Sequence, residues 1–429
     1  MPPTRRELLR WASAMGILGL GGLTARGATP PKNLIVVLAW GGWDVTLLFD
    51  PKPDAPEIED GSRHENQANP DDREVVRQFG NLPIMTNAAK RPSVTTFFEN
   101  WFGQTTVVNG IWTGSIAHEP AQYRMLTGTS AGSNPDIAVI AGHVHGANLP
   151  LGSIDLSSLS YPGQLAPSTG RVGNRSQLKT LIDPDTAFPA PEALGVQYPQ
   201  YLPTTDDQAA AQAYLQGRAD RFRVARAGSE NERAFDNLEE SWQRARFFAD
   251  EADVVRDTLD LGTSLGYRRN LQLSVDLIEA GICHTTVVST DLGWDTHRGS
   301  TAQYGHFETT FHELNELVTR LSSKGMLDNT LVMVLSEMSR TPKYNSKGGK
   351  DHWPHTSAML VGGGLSGNRL FGATDGLLES RRLDLATGDL TDSGEFNRYN
   401  NFHAGILEIL DVDPGQFLPG ITPFRGLAS

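Results

Sequence analysis

Ser289-Thr-Asp-Leu-Gly-Trp-Asp-Thr-His297 is the stretch on which the reading of this chain turns. It follows His284-Thr-Thr-Val-Val-Ser289, an apolar, β-branched run with the composition of a buried strand. A helix-period segment comes after it. Asp291, Asp295 and His297 therefore fall in a loop where a strand has ended and a helix has yet to begin. In open α/β sheets that edge is where ligands bind. Two carboxylates and an imidazole in that place point to metal or proton chemistry. The plainer alternative is that Asp295 caps a helix and His297 lies on the surface.

The same pattern recurs along the chain. Asn33-Leu-Ile-Val-Val-Leu-Ala39 reads as a strand running into Trp40-Gly-Gly-Trp-Asp44, where two glycines let the backbone turn tightly. Thr105-Thr-Val-Val108 is a second strand, followed by His118-Glu-Pro120, which suits the first turn of a helix. That places His118 at the positive end of a helix dipole. Asn329-Thr-Leu-Val-Met-Val-Leu-Ser336 is a buried strand whose edge carries Glu337, Arg340 and Thr341. Asp351, His352 and His355 stand just ahead of another strand, Ala358-Met-Leu-Val-Gly362. Helices are expected over Pro92–Phe102, Leu271–Ala280 and from Phe307, where apolar residues keep 3/4 spacing to Leu321.

Alternation of this kind implies a largely parallel sheet covered by helices on both faces. One rim then carries Asp44, His118, Asp295, His297, Glu337, Asp351 and His352. Four of these are carboxylates, which repel one another unless cations or shared protons offset them.

The remaining segments are less telling. His143 and His145 have His-x-His spacing and would share a face on a strand. Residues 150–203 show no clear period and read as loops, while residues 205–262 are rich in helix formers and read as a helical insertion. The chain has 429 residues and a formal net charge of -13, with no basic stripe, so nucleic acid is not expected as a partner. Thr4-Arg5-Arg6-Glu7-Leu8-Leu9-Arg10 is a twin-arginine pattern, followed by an apolar run from Trp11 to Leu23 and small residues near Ala28. Residues 1–28 are therefore expected to be an export signal and 29–429 one domain. The run is short for a membrane span of roughly 20 residues, so no stable membrane anchor is expected. A periplasmic or secreted location also suits a chain whose only cysteine, Cys283, precedes an apolar strand and reads as a packing residue.

Gly293-Trp-Asp-Thr-His297, Ser336-Glu-Met-Ser-Arg-Thr341 and Asp351-His-Trp-Pro354, behind a twin-arginine signal, resemble the domain of unknown function 1501 family. That family is grouped with the alkaline phosphatase and sulfatase superfamily. The resemblance implies a three-layer α/β/α fold and divalent cations beside a nucleophile. Asp44 matches the acidic ligand after the first strand, and His118 stands where the superfamily has a nucleophilic Cys or Ser. Asp295 and His297 resemble the later Asp/His metal pair. Glu337 and Met338 replace an Asp-His pair, so Asp351 with His352 or His355 would supply the last ligand.

The resemblance implies a metal-dependent hydrolase of phosphate or sulfate esters, acting on a small anionic substrate. Asp44, Asp295, His297, Glu337, Asp351 and His352 would hold one or two cations and Arg340 would clamp the anion. His118 would be nucleophile, proton carrier or a further ligand. Imidazoles suit zinc, and carboxylates alone would suit manganese or calcium. The other reading is a non-catalytic secreted module that keeps the fold to bind metal or a partner.

Overall fold

The computed structural model describes residues 32–130, 133–171, 205–226 and 266–428. Among them the strands are β1 (Asn33–Leu38), β2 (Val75–Phe79), β3 (Leu82–Thr86), β4 (Thr105–Trp112), β5 (Ser153–Asp155) and β6 (Thr169–Arg171). Then come β7 (Thr285–Ser289), β8 (Thr330–Leu335), β9 (Ser339–Arg340), β10 (His352–Trp353), β11 (His355–Gly362) and β12 (Arg369–Phe371). Eight of them form one sheet in the order β12-β4-β11-β8-β1-β7-β5-β6.

β1 lies in the middle because both its faces are apolar. Ile35 and Val37 face one side of the sheet, Leu34, Val36 and Leu38 the other, and all five are fully buried. It runs parallel to β7 and β8, and Leu38 is in register with both Ser289 and Leu335. Three chain segments thus leave the sheet at one level.

β11 is antiparallel to both of its neighbours, β8 and β4, while every other pairing in this sheet is parallel. β11 alone therefore runs against the rest. Its first residue, His355, pairs with Trp112 near the end of β4. This reversal puts the segment before β11 on the rim where the other strands end. In a wholly parallel sheet, Asp351–Pro354 would lie at the opposite rim.

Helices cover both faces, giving a three-layer α/β/α sandwich. On one face Phe97 and Phe98 of helix Pro92–Trp101 and Phe307, Phe311 and Leu314 of helix Ala302–Ser323 pack on Ile35, Val37 and Val334. Helix Tyr267–Glu279 joins the same layer. On the other face helices His118–Thr127, Ile137–His145 and Tyr399–Ile409 bury Met125, Ile140, Phe402 and Ile406 against Leu34, Val36 and Leu335. Each fully buried large apolar side chain contributes about 1.5–3 kcal/mol relative to exposure.

Two local expectations are corrected. His143 and His145 lie on a helix, not a strand, so two residues apart they point to different sides; His145 Nε2 bonds the Leu410 carbonyl at 2.6 Å. The tract read as loops contains β5 and β6, each three residues long, too short to show a period. Of the proposed insertion, helix Thr205–Arg226 is seen. Its continuation over 230–261, and the export signal over 1–28, lie outside the described residues.

Candidate metal centre

The loop after β1 is built on two glycines. Gly41 (φ +122°) and Gly42 (φ +89°) adopt backbone conformations that other residues rarely reach. A Cβ on Gly41 would stand 2.7 Å from the Asp295 nitrogen, so this loop and the loop after β7 touch through their main chains. Trp294 anchors the second loop. It is fully buried, 4.9 Å from the Phe307 ring centroid, and its indole donates to Thr290 Oγ1 at 2.9 Å. Gln303 ties the two loops together: its Oε1 accepts from the Asp44 amide at 2.6 Å and its Nε2 donates to the Gly42 and Trp294 carbonyls. Asp295 is thus presented to solvent from a rigid seat.

Three imidazoles face it. Asp295 Oδ1 lies 3.1 Å from His352 Nε2 and 3.2 Å from His297 Nε2, and Oδ2 lies 3.5 Å from His118 Nε2. Donor atoms of His118, Asp295 and His352 all fall within 4.8 Å of one another, the spacing of a cation site. His118 arrives at the start of its helix, after β4. Asp295 and His297 follow β7. His352 sits on the ribbon β9–β10, directly opposite Arg340.

The outer nitrogens explain why the inner ones converge. His118 Nδ1 bonds Glu337 Oε1 at 2.8 Å, His297 Nδ1 bonds Asp351 Oδ1 at 2.8 Å, and His352 Nδ1 bonds the Ile116 carbonyl at 2.7 Å. A carbonyl only accepts, so His352 Nδ1 carries the proton and, in the neutral ring, Nε2 is a bare lone pair. Yet His297 Nε2 stands 2.9 Å from His352 Nε2. With both Nδ1 atoms donating, two lone pairs would meet there, and a proton or a cation has to lie among them. An imidazole fixed through Nδ1 by a carboxylate or carbonyl is the usual support of a metal-binding histidine.

The electrostatics agree. Burial works against ionisation of Asp295, but the Arg340 and His352 hydrogen bonds outweigh it and hold the carboxyl at about 2. The His297 bond, then that of Asn345, holds Asp351 below the usual carboxylate range. The Glu337 bond raises His118 against partial burial.

The residues expected at this rim divide into three groups. His118, Asp295, His297 and His352 meet. Glu337 and Asp351 stand behind them, Glu337 fully buried and also accepting from the Gly41 amide at 2.8 Å. Asp44 and Arg340 are buried and turned inward, apart from the other four. Asp44 is buried, 2.8 Å from the Lys350 ammonium, and its Oδ1 caps the following turn at Thr46. Its counter-charge is a lysine. Arg340 is also fully buried and donates to the carbonyls of Gly41, Gly42, Trp294 and Lys350, and to Asp295 Oδ1 at 2.8 Å. A guanidinium so occupied cannot clamp a substrate. His355 turns away, bonding Ser380 Oγ at 2.6 Å.

Lys350, Gln303 and the Ile116 carbonyl were not expected at this site. Lys350 directly precedes Asp351, but nothing in its spacing marks it. Trp40 and Ile116, 38 % and 57 % exposed, flank the opening as apolar side chains; the Trp40 ring lies 5.3 Å from that of His118.

The chain is similar in fold to several solved structures. A lipoteichoic acid synthase from Listeria monocytogenes shares 11 % identity over 97 % of this chain and 82 % of its own, with a TM-score of 0.41. A sulfatase from Pseudoalteromonas sp. shares 9 % identity over 100 % of this chain and 77 % of its own, at 0.39. A phosphonate monoester hydrolase of Agrobacterium radiobacter shares 11 % over 91 % and 78 %, at 0.34. Likeness at this level adds nothing to the α/β sandwich visible in the strand order itself. Comparison with curated proteins finds none that matches. The model of the family described as "Protein of unknown function (DUF1501)" matches residues 31–421, and the chain belongs to that family.

Proposed function

We propose that this cluster holds a divalent cation and that the chain is an exported, metal-dependent hydrolase of phosphate or sulfate esters. One observation carries the reading: three imidazoles, each held through Nδ1 by an acceptor, turn their Nε2 atoms toward a single carboxylate. His118, Asp295 and His352 would hold the cation, with His297 beside them. A set of imidazole nitrogens with one carboxylate suits zinc, ahead of manganese or calcium. When bound, such a cation supplies electrostatic stabilisation to charge developing on an ester oxygen.

The chain's own residues do the rest. Glu337 and Asp351 fix His118 and His297 through their Nδ1 atoms. Arg340 orients Asp295 and keeps it ionised. Because Glu337 takes His118 Nδ1, Nε2 is the nitrogen left for the cation, and His118 carries no substrate proton while it holds one. Asp44 and Lys350 serve as a buried ion pair under the site, which favours one cation over two. Export by the twin-arginine route rests on residues 1–28 as a sequence pattern.

A second reading, a metal-binding module without catalysis, is favoured by Arg340: each of its three guanidinium nitrogens bonds inside the protein, and the side chain is fully buried, so it is not placed as an anion clamp. The two readings separate on purified protein by metal analysis with turnover of aryl phosphate and aryl sulfate, with and without chelator. Chelator-sensitive turnover lost in His352→Ala supports the hydrolase. Tight metal with no turnover of either ester supports the module.

A further inference from the structure

The structure also holds a cavity of about 530 Å³. It opens between the end of β4, helix His118–Thr127 and the start of helix Tyr399–Ile409. Its size falls within the roughly 300–1,000 Å³ usual for small-molecule sites. Phe417, Leu418 and Ile421 make one wall apolar, and Ser130 and Asn134 add hydrogen-bonding groups.

Its charge is what sets it apart. Arg124 and Arg398 both line it, and among the described residues no carboxylate does. The chain as a whole carries a formal charge of -13. Arg124 is half-buried and Arg398 exposed. Elsewhere Arg91 pairs with Glu74, Arg171 with Asp155 at 2.9 Å and Arg320 with Asp276 at 2.5 Å. Among the described residues no carboxylate pairs with Arg124 or Arg398. Both guanidinium groups are nonetheless held in place. Arg398 lies over the Trp112 ring, 4.3 Å from its centroid, and Arg124 Nη1 donates to the Gly114 carbonyl at 2.6 Å. The floor is firm, since Tyr399 is buried and its hydroxyl donates to the Ser336 carbonyl at 2.6 Å. Two preset guanidinium groups in a concave, carboxylate-free place form a receptor for an oxyanion.

We infer that this cavity binds a small organic anion: an oxyanion group between Arg124 and Arg398, with an apolar or planar body against Trp112 and Leu418. The inference does not depend on the metal reading, because none of the residues that meet at Asp295 lines the cavity.

The test uses the full chain stripped of metal by chelator and dialysed, titrated calorimetrically with phenylphosphonate, which has no ester to hydrolyse, and with inorganic phosphate. The expected result is saturable binding of one phenylphosphonate per chain, at least tenfold tighter than phosphate. Arg398→Gln should weaken it at least tenfold, and His352→Ala should leave it unchanged. Arg124→Gln, on the opposite wall, should give the same loss and replaces Arg398→Gln if that variant does not fold. Absence of binding to the wild-type chain overturns the inference. So does binding abolished by His352→Ala but indifferent to both arginine variants, which would put the anion at the histidine cluster.

Discussion

His297 Nε2 and His352 Nε2 stand 2.9 Å apart beside Asp295, although each ring is bound through its Nδ1 to an acceptor. Two neutral imidazoles in that state cannot satisfy each other. The pair is complete only with an added positive charge between or beside them.

Glu337 should matter to metal affinity without touching the metal. It fixes His118 Nδ1 from a fully buried position. Glu337→Gln should weaken zinc binding by about 10–100-fold, as for other partners that orient ligands. Competition against a chromogenic chelator measures this, and unchanged affinity would mean that His118 is not held for a metal.

Gly41→Ala should disrupt the site and the fold together. The added methyl group would lie 2.7 Å from the Asp295 nitrogen, at φ +122°. A cost of roughly 1–3 kcal/mol for the backbone conformation alone is expected, with the clash in addition. Urea denaturation and metal content should both fall. A variant of wild-type stability that still binds metal would contradict the close approach of the two loops.

Much of this was legible in the sequence and some was not. β1, β7 and β8 are β-branched, apolar runs, and the end of β7 places Asp295 and His297 at a rim. Periodicity carries no strand direction, so the reversal of β11, which brings His352 there, could not be read. Nor could the partners of Asp44 and Arg340. Position puts both in the expected site, and for Asp44 the family resemblance does so as well. Asp44 meets Lys350 across 306 residues of chain, and Arg340 meets carbonyls that any sequence would supply. Which charged group faces the opening and which is turned inward is settled by packing, not by spacing.

The Asp44–Lys350 ion pair should be costly to break from one side. Both partners are buried, 2.8 Å apart. Lys350→Met leaves a buried carboxylate without a counter-charge, worth about 3–5 kcal/mol. Pairing it with Asp44→Asn should recover part of the loss, and a double-mutant cycle reads the coupling. Independent, additive effects would mean that the ion pair contributes nothing.

Acid should destabilise the protein well above the carboxylate range. Burial holds His284, His355 and His403 at about 4, with the neighbouring His145 lowering His284 further. These groups ionise near 6.5 in the unfolded chain. Their neutral forms therefore stabilise the fold fully above pH 6.5, and that contribution is lost as pH falls from 6.5 toward 4. Each deeply buried histidine adds up to about 1.4 kcal/mol per pH unit to the slope. Urea midpoints between pH 7 and 5 should fall, and His403→Gln should flatten the decline. A flat profile in the wild-type chain would show these rings to be accessible to protons.

The most direct measurement is zinc X-ray absorption on the metal-stripped, reconstituted protein, beside metal content per chain. One zinc per chain is expected, bound through imidazole nitrogens and a carboxylate oxygen, and lost in His118→Ala and in His352→Ala. A reconstituted chain that takes up no zinc, or zinc that stays bound with an unchanged spectrum in both variants, would contradict the site.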